Sequence, residues 1–555
     1  MNLRLKLCPI FAAIAFVATT ARARFVEPFE IAKEPVVKAA AEKLRTLKDK
    51  KDAEPIFKEI SVAAATGSGE ANFMLAFLYH SGLAPEQGND KAKAAYEKAA
   101  EDGVPGAKNN LGLLRLALGE DAKAAIVLVE ESANAGYSPA QVSMGQMFLD
   151  GVQPAGIARD LDQARVWFER AADAGDDDAS LTLGLMYENG TGVTADQARA
   201  TSLLQTAADK GNQRAMLRLA AKLVAGQGIK AEPEKGKALY EKAIAANVPG
   251  SKTALAAVYE TGIGLAKDEK KAFELYAQAE AEGDIDAINK LGYLNENGIG
   301  TKKNEVKALE WYKIGTAKEI PVCIHNLGIF HEEGKGGLLK DDKAAFGQFY
   351  KAALKAFVPS QIGIALRYRE GKGVMQDTQA ALAWLERAMQ NNDPNASVNY
   401  ASILESGEAG FVNYEMAVKI YKELGGKGHL PSMVGLGGML ENGRGVPADY
   451  RQAYMQYHLA SNGGYKPAEE RLEKLKKSLN SEQIKIAEAF VASGGKNTSA
   501  PSSAPAPAGD PAAKPATVDP AMKADTKANK PETKPATRTR VKPATKAAPT
   551  TPALR

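Results

Sequence analysis

Two kinds of side chain in this sequence could do chemistry: scattered histidines and a recurrent glutamate. Their spacing decides between catalysis and architecture. The histidines are His80, His325, His331, His429 and His458. None forms an H-x-x-H or H-E-x-x-H pair and no cysteine accompanies them, so a metal-ligand spacing is missing. His80 and His331 fall at or beside a recurring tyrosine position at the end of a helical segment, where packing or solvent exposure is the expected role. The sequence contains no G-x-S-x-G nucleophile elbow and no G-x-x-x-x-G-K-[ST] phosphate loop. Pairs such as Gly262-Ile263-Gly264 and Gly298-Ile299-Gly300 follow helical patterns rather than strands and lack the third glycine of a dinucleotide site. They read as turns. The sequence thus predicts no catalytic residue, no metal ligand and no cofactor site, and the chain is expected not to be an enzyme.

The glutamates form a series, Glu188, Glu260, Glu296, Glu332, Glu405 and Glu441, interrupted by Arg369. Each follows the tyrosine position that closes a helical segment, where a negative charge opposes the helix dipole by about 0.3–1 kcal/mol. A charge that recurs where it is unfavourable calls for a partner. Either each carboxylate bonds a turn amide or a basic side chain of the adjoining segment, or the series is an acidic ladder that faces a basic ligand.

The segments that carry these residues repeat. From Ala179 to Gly211, apolar or small residues at Ala179, Leu183, Gly184 and Tyr187 give one helical face. The turn N-G-T-G-V breaks it, and a second helical pattern (Ala200, Leu203, Leu204, Ala207, Ala208) runs to Gly211 as a C-terminal cap. The small residue at Ala179 recurs at Ala71, Ala107, Ala140, Ala215, Ser251, Ala287, Cys323, Ser360, Ala396 and Ser432, mostly 36 positions apart. The exceptions are local: the Ala107 repeat lacks the G-x-G turn, and the Ala140 repeat gains residues in GVQPAGIARDLDQ. A fixed period of this size marks a solenoid, in which stacked neighbours create the core.

The segments LGLMYENGTGV, LGYLNENGIGT, LGIFHEEGKGG and LGGMLENGRGVPADYRQA resemble the first half of Sel1-like repeats, and ARVWFERAADAG, KALYEKAIA and KAAYEKAAEDG resemble the second half. Sel1-like repeats are relatives of tetratricopeptide repeats. The resemblance covers roughly residues 71–464 and implies an all-α, right-handed superhelical solenoid of about eleven helix–turn–helix repeats, used as a binding scaffold. It names no partner. It also implies that an acidic residue at the glutamate position is ordinary for the family. By analogy with tetratricopeptide repeats, the concave face is lined by residues two and six places after the small anchor. These include Phe73, Phe77, Asn109, Leu113, Gln146, Asn289, Tyr293, His325, Ile329, Ile362, Leu366 and Ser402. Phe73, Phe77 and Tyr293 are the expected anchors for a protein partner, since aromatic side chains dominate binding energies.

The flanks differ in kind. Residues 1–23 combine a basic start, an apolar run too short to span a bilayer and the small-x-small triplet Ala21-Arg22-Ala23, which reads as a cleaved secretory signal. No transmembrane segment is expected after cleavage. Cys323 is then the sole remaining cysteine, sits at a small anchor position and is expected to be a buried apolar residue. Residues 24–69 read as an N-terminal helical cap, and residues 465–495 as two capping helices, with Ser481 as the expected N-cap of the second. Residues 496–555 are rich in Pro, Ala and Lys, have almost no large apolar side chains and are expected to be disordered.

That tail holds eleven basic and four acidic residues, a net +7, whereas the whole chain is +4 and residues 1–23 hold three basic groups. Residues 24–495 therefore carry a net charge of −6. A mildly acidic array argues against nucleic acid as a partner. The expected function is a non-enzymatic scaffold or adaptor, exported to the periplasm or secreted by a bacterium, that binds protein partners on the concave face. The alternative is a cell-envelope polysaccharide or peptidoglycan binder whose basic tail supplies affinity for anionic envelope polymers. Lys530 to Lys546 could also lie against the acidic array within the same chain.

Overall fold

The computed structural model describes residues 32–496, apart from residues 48, 87, 154 and 155, together with residue 27. The expected signal segment 1–23 and the residues beyond 496, expected to be a disordered tail, lie outside the described residues. Those described form 26 α-helices, most of 11–13 residues, and their β pairing is one isolated bridge, Val152 to Ile157, in the enlarged turn of the Ala140 repeat. The chain divides into two compact units, one ending at Asp268 and one beginning at Glu269.

In each unit the same two-helix construction repeats. The helix Asp177–Asn189 packs on Gln197–Asp209, which packs on the next first helix, Gln213–Ala225; in the second unit Pro321–Glu333, Asp342–Leu354 and Val358–Glu370 do the same. Small residues set the spacing. Ala71, Ala107, Ala140, Ala179, Ala215, Ala287, Cys323, Ser360, Ala396 and Ser432 have no exposed surface, and Ser251 almost none. Five places on, a glycine in six repeats (Gly112, Gly145, Gly184, Gly292, Gly328 and Gly437) and an alanine in the other five keep the side chain small where the second helix crosses. A Cβ at Gly292 would lie 2.5 Å from the Tyr312 ring, and one at Gly437 would lie 2.5 Å from the Tyr457 ring. The missing methyl is replaced by a whole buried aromatic ring, which contributes far more apolar area.

Most second helices start on side-chain caps, Asn89–Glu101 and Pro233–Ala245 being exceptions. Asp196, Asn304, Asp341, Asp377, Asn413 and Asp449 each accept from a backbone N–H of the first turn. Such a cap is worth roughly 1 kcal/mol. The first helices end on a glycine in the left-handed region, as at Gly190, Gly298, Gly334, Gly371 and Gly443. At the amino end, Val37, Ile56 and Ile60 pack on Ala71, Met74 and Leu78 of the first full repeat. The Glu70 carboxylate accepts from the backbone N–H groups of Lys33 and Glu34 at 2.7 and 2.8 Å. At the carboxyl end the cap of Ser481–Ala492 is Asn480, one residue earlier than the sequence suggests. Its side chain accepts from Glu482 and Gln483, and the Gln483 side chain accepts in return from the Asn480 backbone N–H. This reciprocal capping box satisfies more amides than a serine one residue later.

The second glycine of the G-x-G turns has the tightest requirement. Gly373 sits at φ +72°, and a Cβ there would lie 2.0 Å from the carbonyl oxygen of Asp342 in the preceding repeat. Gly300 stands in the same relation to Glu269, and Gly336 to Glu305. Gly211 has φ +92° but open space around it. Gly373→Ala is therefore expected to cost on the order of 3 kcal/mol, from backbone strain plus a forced opening of the repeat contact. Gly211→Ala is expected to cost only about 1 kcal/mol, the conformational part alone. Urea unfolding of the two variants checks the difference.

Cys323 is fully buried, with its Sγ against Gly315, and burial pushes its thiol up to about 12. It is expected to resist iodoacetamide at neutral pH in the native protein and to react once the protein is unfolded, since the thiolate is the nucleophile. Mass spectrometry before and after denaturation reads this directly.

Candidate interaction surface

Several first helices end on the glutamate position, and in the second unit the next repeat's turn arrives beside four of them. In the second unit this builds four successive seams. Glu296 accepts from Lys335 at 2.8 Å, and Glu332 accepts from Lys372 and, at 2.6 Å, from Arg367. Glu405 lies 3.5 Å from Arg444. In these three cases the turn cation is the middle residue of the next repeat's G-x-G, namely G-K-G, G-K-G and G-R-G. The fourth seam reverses the charges: Arg369 holds the glutamate position and donates through Nε and Nη2 to both oxygens of Glu408, at 2.6 and 2.7 Å.

In the first unit the same position is served by other cations. Glu188 accepts from Arg218 Nε at 3.0 Å and Nη2 at 2.8 Å, with Lys222 Nζ at 3.5 Å. Lys222 has no exposed surface and donates also to the Gln197 side chain and the Gln227 carbonyl. Glu441 accepts from Tyr457 at 2.8 Å, and Glu296 and Glu405 accept from Tyr312 and Tyr421 in the same way. Glu260 is half-buried at the end of Ser251–Thr261.

The carboxylates paired with a cation, Glu188, Glu296, Glu332 and Glu405, are thus neutralised at the joints between repeats. Glu188, Glu332 and Glu405 expose less than a tenth of their side chains. Desolvation pushes the Glu405 carboxyl up, while Arg444 and Tyr421 pull it back. For Lys335, burial works downward, but bonds to Glu296 and Glu333 hold the ammonium above its ordinary range. The signal for these partners was in the sequence: a basic residue between two turn glycines, 39 or 40 positions after a glutamate.

Two places after the anchor most of the named residues are buried, with Asn289 half-buried, and six places after it they divide. Phe73 is fully buried, edge-on to Tyr96 at 5.3 Å between ring centroids, and has no surface to offer a partner. Its expected role as an exposed anchor is corrected by this packing. Asn109, His325 and Ile362 are buried for the same reason: this position faces the second helix and the next repeat. His325 packs edge-on to Phe349 and Phe357, and its Nδ1 lies 2.8 Å from Ser360 Oγ. Six places on, Leu113, Gln146 and Ser402 are buried, but Phe77, Tyr293, Ile329 and Leu366 are half-buried and reach the surface. The aromatic candidates that remain are Phe77, in the first unit, and Tyr293, in the second.

A cleft of about 780 Å³ in the first unit is lined by Arg165, Tyr187, Thr194, Asp196, Gln197 and Gly228 among others. Its charges are largely spent locally, Arg165 on Glu169 at 2.7 Å and Asp196 on the backbone N–H of Arg199 at 2.9 Å. Among the described residues, no group of three or more His, Cys, Asp or Glu is placed to hold a metal ion, and no helix is long and apolar enough to cross a membrane.

This construction defines a class, an α-solenoid of helix pairs joined by glycine turns and ion-paired seams. The family model "Sel1 repeat" matches residues 69–104, 138–176, 178–212, 213–248, 251–284, 285–318, 321–356, 358–393 and 430–465, more than half of the chain, and the chain belongs to the Sel1 repeat family. The structure adds helix pairs at 107–134 and 394–426, which that model passes over. Solved structures similar to this chain include a protective antigen of uropathogenic Escherichia coli with an SLR fold, at 25% identity. That match covers 79% of this chain and 94% of the other, with a TM-score of 0.45. A Sel1 repeat protein from Oxalobacter formigenes matches at 23% identity over 67% and 94%, with a TM-score of 0.41. Comparison with curated proteins gives no match. Sel1 and tetratricopeptide-like folds are typically protein-interaction scaffolds and generally non-catalytic.

Two buried histidines give the fold an acid sensitivity. Burial pushes His80 down to about 4; its Nδ1 lies 2.8 Å from the Tyr96 hydroxyl. Burial and the neighbouring Arg367 push His325 down to about 3. In the unfolded chain both titrate near 6.5. Above that value both states are neutral and nothing changes; as pH falls from about 6.5 toward 4, the unfolded state takes up protons first and stability drops. For His80 the full loss is on the order of 3 kcal/mol. His80→Gln is expected to reduce the slope of stability against pH between 6 and 5 by about one proton, measured by urea unfolding at several pH values.

Proposed function

We propose that this protein is a non-enzymatic scaffold, exported to the bacterial cell envelope, that holds a protein partner on the surface of its first helices. The single observation that carries this reading is how the repeats spend their polar chemistry. The recurrent carboxylates are bonded across seams or to tyrosines, while the position six places after the anchor leaves Phe77, Tyr293, Ile329 and Leu366 half-open. Half-buried aromatic residues on a rigid frame suit a partner: they are already ordered, and their remaining area is lost to water on contact. Phe77 and Tyr293 are the proposed contacts, each within its own unit; the glutamates are proposed to hold that surface in place rather than to touch the ligand.

Export rests on the basic-apolar-small pattern of residues 1–23. A second reading, binding of anionic envelope polymers, is favoured by one observation, the +7 tail attached to a −6 array.

Crosslinking affinity capture from the native host, with the mature chain ending at Gly495 as bait, tests the scaffold. A defined protein is expected, and Phe77→Ala and Tyr293→Ala are each expected to weaken it about tenfold or more without lowering the unfolding midpoint much. Capture that depends entirely on residues 496–555, weakens steeply with salt and ignores both substitutions would move the function to the tail.

A further inference from the structure

The four seams of the second unit do not share one polarity, and the exception carries information. In the Ala287, Cys323 and Ala396 repeats, the residue nine places after the anchor is acidic (Glu296, Glu332, Glu405). The matching turn residue, twelve places after the next anchor, is basic (Lys335, Lys372, Arg444). At the seam between the Ser360 and Ala396 repeats the acid is Glu408 and the base is Arg369. This reversed bridge is bidentate, and Arg369 exposes only 12% of its side chain. Glu408 is correspondingly held below the usual carboxylate range by its bonds to Arg369.

Repeats built on one backbone plan have a specific hazard. Any first-helix end can in principle receive the turn of a later repeat, with the skipped one looped out, and looping out 36 residues costs little more than a shorter loop. From the geometry we infer that the reversed bridge is a register device, which rejects the two slipped stackings that would omit either the Ser360 or the Ala396 repeat. If the Ala396 repeat is skipped, Arg369 meets Arg444. If the Ser360 repeat is skipped, Glu332 meets Glu408. Both are like-charge encounters at a partly buried joint, where repulsion is least screened. Were the seam of ordinary polarity, both slips would instead bring opposite charges together. The protected pair includes the Ala396 repeat, whose turn departs from the G-x-G pattern as Gly407-Glu408-Ala409-Gly410.

The test exchanges the charges in the full chain. Arg369→Glu and Glu408→Lys are each expected to lower the urea midpoint, and the double variant to return most of the loss, because opposite charges again face one another in the native register. Refolding by rapid dilution from urea, followed by brief proteolysis, separates register from stability. A slipped chain exposes a looped-out repeat, so cleavage within residues 358–429 is expected to rise about two- to fivefold in the double variant over the wild type, the range that a partly exposed charge pair supports. A neutral pair, Arg369→Met with Glu408→Met, is expected to fall between the two. The inference is overturned if the double variant regains the midpoint yet refolds with wild-type cleavage. It is equally overturned if the double variant fails to regain the midpoint while the neutral pair refolds with wild-type cleavage.

Discussion

The second turn glycine, seated on the backbone at the start of the preceding second helix, is the contact on which the G-x-G seams of the second unit depend. Gly336 lies over Glu305, Gly373 over Asp342 and Gly445 over Tyr414, at separations no side chain can occupy. Because that glycine is pinned, the residue before it is pinned too. Lys335, Lys372 and Arg444 are therefore delivered to the ends of the neighbouring first helices, where the dipole already favours a cation and a glutamate awaits it. The ion pairs do not build the seam. Steric contact does, and the charges are then placed within reach at little extra entropic cost.

This ordering explains why the acidic ladder is not an open surface. A glutamate at a helix C-terminus is unfavourable by itself, and with a turn cation delivered by the next repeat it becomes part of the joint. Arg367 adds to one such joint from a different side, its guanidinium lying 3.8 Å from the Phe349 ring centre while donating to Glu332. Burying a lone partner would be costly, so each pair is safest fully satisfied. The net charge of −6 over residues 24–495 consequently does not reside in these paired carboxylates, and a basic ligand would have to read other acids.

The repeat was legible because each of its requirements excludes most residue types. Only Ala, Ser or Cys fits the anchor position, and only glycine fits a left-handed turn pressed against backbone. The face was less legible. A period shows that Phe73 and Phe77 recur on helices, but helix phase against two neighbours decides that Phe73 packs on Tyr96 while Phe77 stays half-open, and an analogy supplied that phase. The seam partners lay in plain view as G-K-G and G-R-G, but nothing local links a turn lysine to a carboxylate 39 residues earlier. For the same reason Arg369 read as an interruption, when Glu408 makes it a member of the series with its sign reversed.

Chemistry-bearing residues do gather in one place, and their arrangement shows why gathering is not catalysis. His325, Ser360, Glu332 and Arg367 include the types of a nucleophile, a base and an orienting acid. Yet Ser360 has no exposed surface, and the imidazole is wedged between two phenylalanine rings. The Glu332 oxygens are taken by Arg367 and Lys372. A general base needs a titration near the working pH and room for the reacting atom. Burial removes the first by holding His325 neutral, and close packing between repeats removes the second. What those groups do well is fix one repeat against the next, because a satisfied polar contact in a dry joint tolerates fewer alternative packings than an apolar one. A surface that must present Phe77 or Tyr293 in a fixed position depends on joints of that kind.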